Sequence, residues 1–129
     1  MSSIVWSGRI AAVIAIFVVS ACSDEKEHTD KTLKGIASWT ASAEMIADAR
    51  IKGAVPQTYS HLAIERCQKE VTLLVKELGD AVPRPIQDIQ TLLERMGTAT
   101  SNNDRHGVET ALQGLQNARS QITIEKPEP

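Results

Sequence analysis

The segment 57–78 reads QTYSHLAIERCQKEVTLLVKEL. Its apolar residues recur at intervals of three and four, which is the period of a helix with one buried face and not the alternation of a strand. The residues of this seam are Ile64, Cys67, Val71, Leu74 and Leu78. Tyr59, Leu62 and Val75 are expected to widen the seam. The segment therefore predicts an amphipathic helix, helix two, which ends before Gly79.

Helix one is predicted on the N-terminal side of this segment, from near Thr29 or Thr32 to Arg50–Lys52. Thr29 or Asp30 is the expected N-cap, and Gly53 is the expected left-handed stop. The apolar residues of helix one are also spaced by three and four: Leu33, Ile36, Trp39, Ala43 and Ile46.

Two further helices are predicted on the C-terminal side. Helix three runs from about Pro85 to Gly97, with a seam of Ile86, Ile89, Leu93 and Met96. The polar stretch 98–103 is the expected turn, in which Asn102 or Asn103 caps helix four. The seam of helix four consists of Val108, Ala111, Leu115, Ala118 and Ile122.

Four amphipathic helices joined by short turns favour a small antiparallel, up-down four-helix bundle. The predicted class is all-α because no segment alternates with a period of two. A three-helix variant remains open, in which helix three only packs across one end. The bundle domain is expected to span residues 32–124, followed by a disordered tail at 125–129 that contains Pro127 and Pro129.

The first 22 residues follow a different pattern. The stretch Met1 to Arg9 carries positive charge only, Ile10 to Val19 is almost wholly apolar, and Ser20 and Ala21 are small. This is the order of a secretory signal. The apolar run is shorter than the roughly 20 residues that a membrane-spanning helix needs. We therefore expect residues 1–21 to be an export signal.

The segment 18–22, Val-Val-Ser-Ala-Cys, resembles the lipobox of bacterial lipoproteins, in which small residues precede an obligatory cysteine. The resemblance covers residues 1–23 only. It implies that Cys22 is lipidated and becomes the first residue of a mature, membrane-held chain. A plain signal peptide followed by an accidental cysteine is the alternative.

The residues after Cys22 bear on location and reach. By the same resemblance, Ser23 in place of aspartate favours an outer membrane, with the protein facing the periplasm; the outer face of the cytoplasmic membrane is the alternative. Residues 23–31 contain no apolar side chain. We therefore expect residues 22–31 to form a lipidated, polar tether.

The charge and aromatic content exclude some partners. Removal of residues 1–21 takes away Arg9 and no acidic residue, so the formal charge changes from −2 to −3. The basic residues form no stripe, and we expect no nucleic-acid partner. Trp39 and Tyr59 are predicted to be separate core anchors about 15 Å apart along the hairpin. If Trp39 is exposed, it is the first candidate contact for a partner.

Few residues are candidates for chemistry. Cys67 lies on the seam of helix two and is expected to pack in the core. His61 and Glu65 form an expected surface pair. Met96 and His106 fall at one hairpin end, where such a pair could hold haem. The following carboxylates have the spacing of solvated helix faces: Glu44, Asp48, Glu65, Glu70 and Asp88. We predict no catalytic, cofactor-binding or metal-binding residues and no enzymatic activity.

The sequence thus predicts a non-enzymatic helical interaction or structural module of the cell envelope. Its partners would be the membrane, through the lipid on Cys22, and an envelope protein of unknown identity. The alternative is a tethered carrier that binds a small ligand or haem between its helices.

Overall fold

The structure is a computed structural model that describes the backbone of residues 2–122 and the side chains of residues 26–122. Residues 2–122 contain four helices and no strand. The helices are α1 (Ser2–Ile51), α2 (Gln57–Glu77), α3 (Arg84–Ser101) and α4 (Arg105–Ser120). The chain divides into two compact units, Met1–Lys31 and Thr32–Pro129. The side chains of the predicted signal 1–21, Cys22 and the tail 125–129 lie outside the described residues.

Helices α1, α2 and α3 form successive antiparallel neighbours within the second unit. Thr32 Oγ1 donates a hydrogen bond to Glu77 Oε2 at 3.2 Å, which joins the beginning of the second unit to the end of α2. Gln57 Nε2 donates to the carbonyl oxygen of Thr100 at 3.0 Å, which joins the beginning of α2 to the end of α3. Each helix therefore runs back along the one before it.

Helix α4 completes the bundle between α3 and α1. A Cβ atom on Gly114 would lie 2.7 Å from Leu92 Cδ2, so the absence of a side chain on α4 lets α3 approach closely. Arg119 on α4 reaches Glu44 on α1. These contacts confirm the predicted up-down four-helix bundle. The three-helix variant is not observed, because α3 is buried along its length from Ile86 to Thr100.

The core is built from one face of each helix. The seams predicted for helices three and four are buried, with Ile122 partly buried at the end of the second one. In α1, Ile36 and Ala43 are fully buried, whereas Leu33, Trp39 and Ile46 pack on the edge of the core. Apolar burial from all four helices stabilises the bundle by removing this surface from water.

Helix α2 turns its predicted seam to the core, where Leu74 and Leu78 are partly buried, but two of the residues expected to widen that seam are exposed. Its buried residues are Ser60, Ile64, Cys67, Val71 and Val75. The prediction that Tyr59 and Leu62 widen the seam is wrong, since they are 57% and 59% exposed. The small Ser60 occupies the inward position in the first turn and satisfies its hydroxyl by donating to the carbonyl oxygen of Pro56 at 3.0 Å.

The predicted beginning of helix one near Thr29 or Thr32 is also wrong, because α1 begins at Ser2 and includes the tether 23–31. These residues contain neither glycine nor proline, and their Glu and Lys side chains favour helix even where nothing is buried. The side chains of residues 26–29 are exposed, as is that of Lys31. The periodicity of apolar residues could not reveal that the polar segment 23–31 is helical, because this segment contains no apolar residue.

Helix α3 is longer than predicted, and helix α4 has a different cap. Residues 98–101 belong to α3 and not to a turn, and Thr100 is buried with its hydroxyl donating to the carbonyl oxygen of Met96 at 2.7 Å. Asp104, and neither asparagine, caps α4, since its Oδ1 accepts from the Gly107 amide at 3.0 Å. Asn103 instead adopts a left-handed conformation with φ 55°. The predicted left-handed stop is confirmed at Gly53, and Gly79, which was predicted to end helix two, is left-handed as well.

Candidate interaction surfaces

An apolar stripe lies on the face of α2 opposite the core. Tyr59, Leu62 and Leu73 are 57%, 59% and 51% exposed. At 100° per residue they fall within an arc of about 60°, on the side away from Ile64 and Val71. Basic residues occupy the other positions on this face that are spaced by three and four. We call this set the outer seam of α2: Tyr59, Leu62, Arg66, Lys69, Leu73 and Lys76.

Of the three basic residues on the outer seam, one is paired with a carboxylate and two are not. Arg66 Nε donates to Glu70 Oε1 at 3.0 Å, one turn along the same helix. Lys69 and Lys76 are exposed and form no ion pair within residues 26–122. The outer seam therefore presents apolar groups and two uncommitted ammonium groups to its surroundings.

A cavity of about 320 Å³ lies at the end of the bundle that carries the α1–α2 and α3–α4 turns. Arg50 borders it and is held in place, because Nη2 donates to Asn103 Oδ1 at 2.9 Å and Nη1 donates to the carbonyl oxygen of Val55 at 3.2 Å. Arg105 lies at the rim, and Ala99 and Val108 provide an apolar floor. The volume is in the range of small-ligand pockets.

The proposed haem pair is not assembled in one pocket. Met96 is completely buried in the core, whereas His106 is exposed and borders an open groove between α3 and α4 of about 690 Å³. Leu92 and Ala111 line this groove, and Met96 does not. Met96 therefore lies in the core and His106 at the surface, so they do not share one pocket.

Glu44 is not on a solvated face, contrary to the sequence prediction. It is 6% exposed and accepts two hydrogen bonds from Arg119, from Nε to Oε2 at 2.6 Å and from Nη2 to Oε1 at 3.1 Å. The hydrogen bond to Glu44 raises the pKa of Arg119. This bidentate pair joins α1 to α4 and neutralises a carboxylate that would be costly to bury alone.

Cys67 is buried as predicted and is 2% exposed. Burial raises the pKa of its thiol, since the thiolate loses solvation in the core. A high pKa and low exposure both oppose nucleophilic reactivity. Cys67 is therefore a packing residue in this structure.

His61 and Glu65 are close on the surface of α2. His61 Nε2 lies 4.0 Å from Glu65 Oε2, at the outer limit of an ion pair. The other ring nitrogen, Nδ1, is buried without a hydrogen-bond partner in the described part of the chain. An exposed pair of this length contributes little to stability.

Trp39, the predicted partner contact, is partly buried against the core. Its role in binding stays a prediction. Cys22, the predicted lipidation site, lies outside the residues whose side chains are described.

Two features are absent from the described residues. No group of three or more His, Cys, Asp or Glu side chains is placed to hold a metal ion. None of the helices has an apolar stretch of sufficient length to cross a membrane, over the residues that the structure describes.

These observations define the class of the protein as an all-α four-helix bundle. Comparison of the chain with protein families, with curated proteins and with solved structures finds no match.

Sequence reasoning missed two features of the surface. The outer seam of α2 was visible in the sequence as a second set of positions with intervals of three and four, but its basic residues concealed it. The Glu44–Arg119 pair gave no signal, because 75 positions separate the two residues. Only the packing of α1 against α4 brings them together.

Proposed function

We propose that the chain is a lipoprotein of the cell envelope, held on a membrane by a lipid on Cys22, and that its bundle is a non-enzymatic module that binds an envelope protein. Ser23 favours the periplasmic face of the outer membrane over the cytoplasmic membrane. The lipidated segment sets the location, and the bundle supplies the binding surface.

The observation that carries the proposal is the outer seam of α2. Burial of one apolar face is enough to build the bundle, yet α2 also carries three large apolar side chains, Tyr59, Leu62 and Leu73, that the described residues leave uncovered. Aligned apolar side chains on a surface are typical of binding sites, whereas single ones are common everywhere. A surface of this kind suits a binding module.

The order of residues in the N-terminal segment supports the membrane tether. A basic stretch, an apolar run and two small residues precede Cys22. A thioether-linked lipid at such a cysteine holds a protein on a bilayer firmly when at least two acyl chains are present. The apolar run itself is too short to span a bilayer.

Labelling of the full-length chain with a fatty acid tests the tether. We expect the label to enter the wild-type protein and the protein to fractionate with membranes, because Cys22 carries the lipid. Cys22→Ser should abolish both. Cys67→Ser provides the matched control, since it changes the other cysteine and should leave labelling intact. Persistent labelling of the Cys22→Ser protein would show that the tether is assigned to the wrong residue.

A tethered small-ligand carrier is the second candidate function, and the cavity beside Arg50 favours it. The cavity has the size of a ligand pocket and a guanidinium group fixed at its edge. A visible absorption spectrum of the purified full-length protein tests the haem version of this candidate. A Soret band that Arg50→Ala weakens would support a ligand in this cavity, and a spectrum without such a band would count against haem.

A further inference from the structure

The outer seam of α2 has the spacing of a coiled-coil seam. Its six positions follow one another at intervals of three, four, three, four and three. A narrow stripe of this period is what one helix presents to a second helix lying along it. From Tyr59 to Leu73 the apolar part of the stripe extends about 21 Å along the axis. This length is enough for a helix of two heptads.

We propose that the outer seam binds an amphipathic helix of an envelope protein, and that this helix carries carboxylates opposite Lys69 and Lys76. Apolar residues of the partner helix pack on Tyr59, Leu62 and Leu73. The proposal rests on the proposed function only for the location of the partner. Its chemistry follows from the outer seam alone.

The two lysines determine which charge we expect on the partner helix. Lys69 and Lys76 form no ion pair within residues 26–122, whereas Arg66 is already paired with Glu70. Polar residues at seam positions of a coiled coil select partner and register, because a mismatched helix leaves them unpaired. Carboxylates at the facing positions satisfy both ammonium groups. An acidic helix is therefore preferred to a purely apolar one.

The flanks of the outer seam argue against a bilayer as the bound surface. Helices that lie on membranes separate an apolar face from a basic one. Here basic residues are interspersed with apolar ones along a single stripe. Glu65 and Glu70 flank that stripe on α2, and Glu77 lies in line with Tyr59; all three carboxylates oppose an anionic lipid surface. They also predict basic residues at the flanking positions of the partner helix.

A second copy of this chain is a poor occupant for the same reason. Antiparallel pairing that sets Leu62 against Leu73 of the second copy also sets Arg66 against Lys69. Parallel pairing sets Lys69 and Lys76 against themselves. Like charges at facing positions destabilise a helix pair, so self-association lacks the complementarity that a partner with carboxylates provides.

Photocrosslinking in living cells tests the proposal with the full-length chain. A photoreactive amino acid is placed at Leu62, which is 59% exposed on the outer seam, and in a matched control at Met45, which is 73% exposed on α1. We expect position 62 to crosslink to one protein and position 45 not to. Mass spectrometry of the adduct should place the crosslink in a segment with helical periodicity and carboxylates at its seam positions.

Charge reversal provides the second measurement. The paired substitution Lys69→Glu and Lys76→Glu should lower the yield of the Leu62 crosslink about tenfold, because it opposes carboxylates to carboxylates. Lys69→Arg with Lys76→Arg keeps the charge and should retain the yield. Circular dichroism of each variant checks that these exposed changes leave the bundle folded.

Several results would overturn the proposal. They are equal crosslinking at Met45, an absence of any crosslink, an adduct with lipid or with a second copy, a partner segment without acidic residues, or a yield that charge reversal leaves unchanged. Fatty-acid labelling of Cys22 tests the membrane tether independently of the crosslink. A labelled chain without the crosslink refutes the docking alone, and an unlabelled chain with it refutes the tether alone.

Discussion

At the scale of single residues, Glu44 and Arg119 show how the bundle handles a buried charge. The carboxylate of Glu44 is almost without solvent, and both of its oxygen atoms accept from one guanidinium group. Arg119 keeps 42% of its side chain exposed, so it retains solvation on its outer side. The pair thereby anchors α4 to α1 while only one partner bears most of the desolvation.

Glu44→Ala should lower the free energy of unfolding by about 1–2 kcal/mol, because Arg119 loses two charge-assisted hydrogen bonds but can turn toward water. Chemical denaturation measures the change. Asp48→Ala is the matched control one turn along α1, since Asp48 pairs with Lys52 at 2.8 Å where both side chains are largely exposed. The control should change stability by less than about 0.5 kcal/mol. Equal effects of the two substitutions would contradict the importance of the buried pair.

Cys67 should make stability depend on pH in the alkaline range. Burial raises the pKa of its thiol above the value of about 8.5 in an unfolded chain. The unfolded state then loses the proton first, so this contribution is complete below pH 8.5 and is lost as the pH rises toward the raised pKa. Denaturation curves across this range, compared with those of Cys67→Ala, measure it. Parallel pH profiles for the two proteins would contradict a buried thiol.

At the scale of helices, periodicity predicted faces better than boundaries. All four seam residues of α3 are buried. Their spacing identifies the buried face because a helix that packs on a single core repeats its apolar residues with the helix period. The end of α3 was missed since glycine is typical of helix ends, yet Gly97 lies inside this helix, and the polar residues after it conceal the buried Thr100. The beginning of α1 was missed because residues 23–31 bury nothing, and the outer seam was missed because half of its residues are basic.

Gly97→Ala distinguishes the interior of a helix from its end. In α3 the added Cβ lies 3.4 Å from Gln68 Oε1, so the methyl group fits, and the higher helix propensity of alanine should raise the free energy of unfolding by about 0.5–1 kcal/mol. Gly79→Ala is the control, and it should change the free energy of unfolding in the opposite direction. Its φ of +74° strains any side chain, and we expect a loss of about 1 kcal/mol. Thermal denaturation of both variants compares the signs. A loss at Gly97 would indicate that α3 ends there.

At the scale of the whole molecule, α2 has one face in the core and one face exposed. Its inner face meets the core, and its outer seam remains available while the bundle is folded. Substitutions on the two faces therefore have separable consequences. Changes on the inner face should lower stability, whereas changes on the outer seam should weaken the proposed binding and leave the bundle folded.

Val71→Asp and Leu73→Asp test this division with the same introduced group, two residues apart. Val71 is completely buried, so Val71→Asp places an unpaired carboxylate in the core at a cost of several kcal/mol. Against a total stability of about 5–15 kcal/mol, this change should unfold most of the bundle. Leu73 is 51% exposed, and Leu73→Asp should leave the helical circular dichroism and the melting temperature nearly unchanged while weakening the Leu62 crosslink. If Val71→Asp melts like the parent chain, or if Leu73→Asp unfolds it, α2 does not face the core as described and the bundle must be rearranged around it.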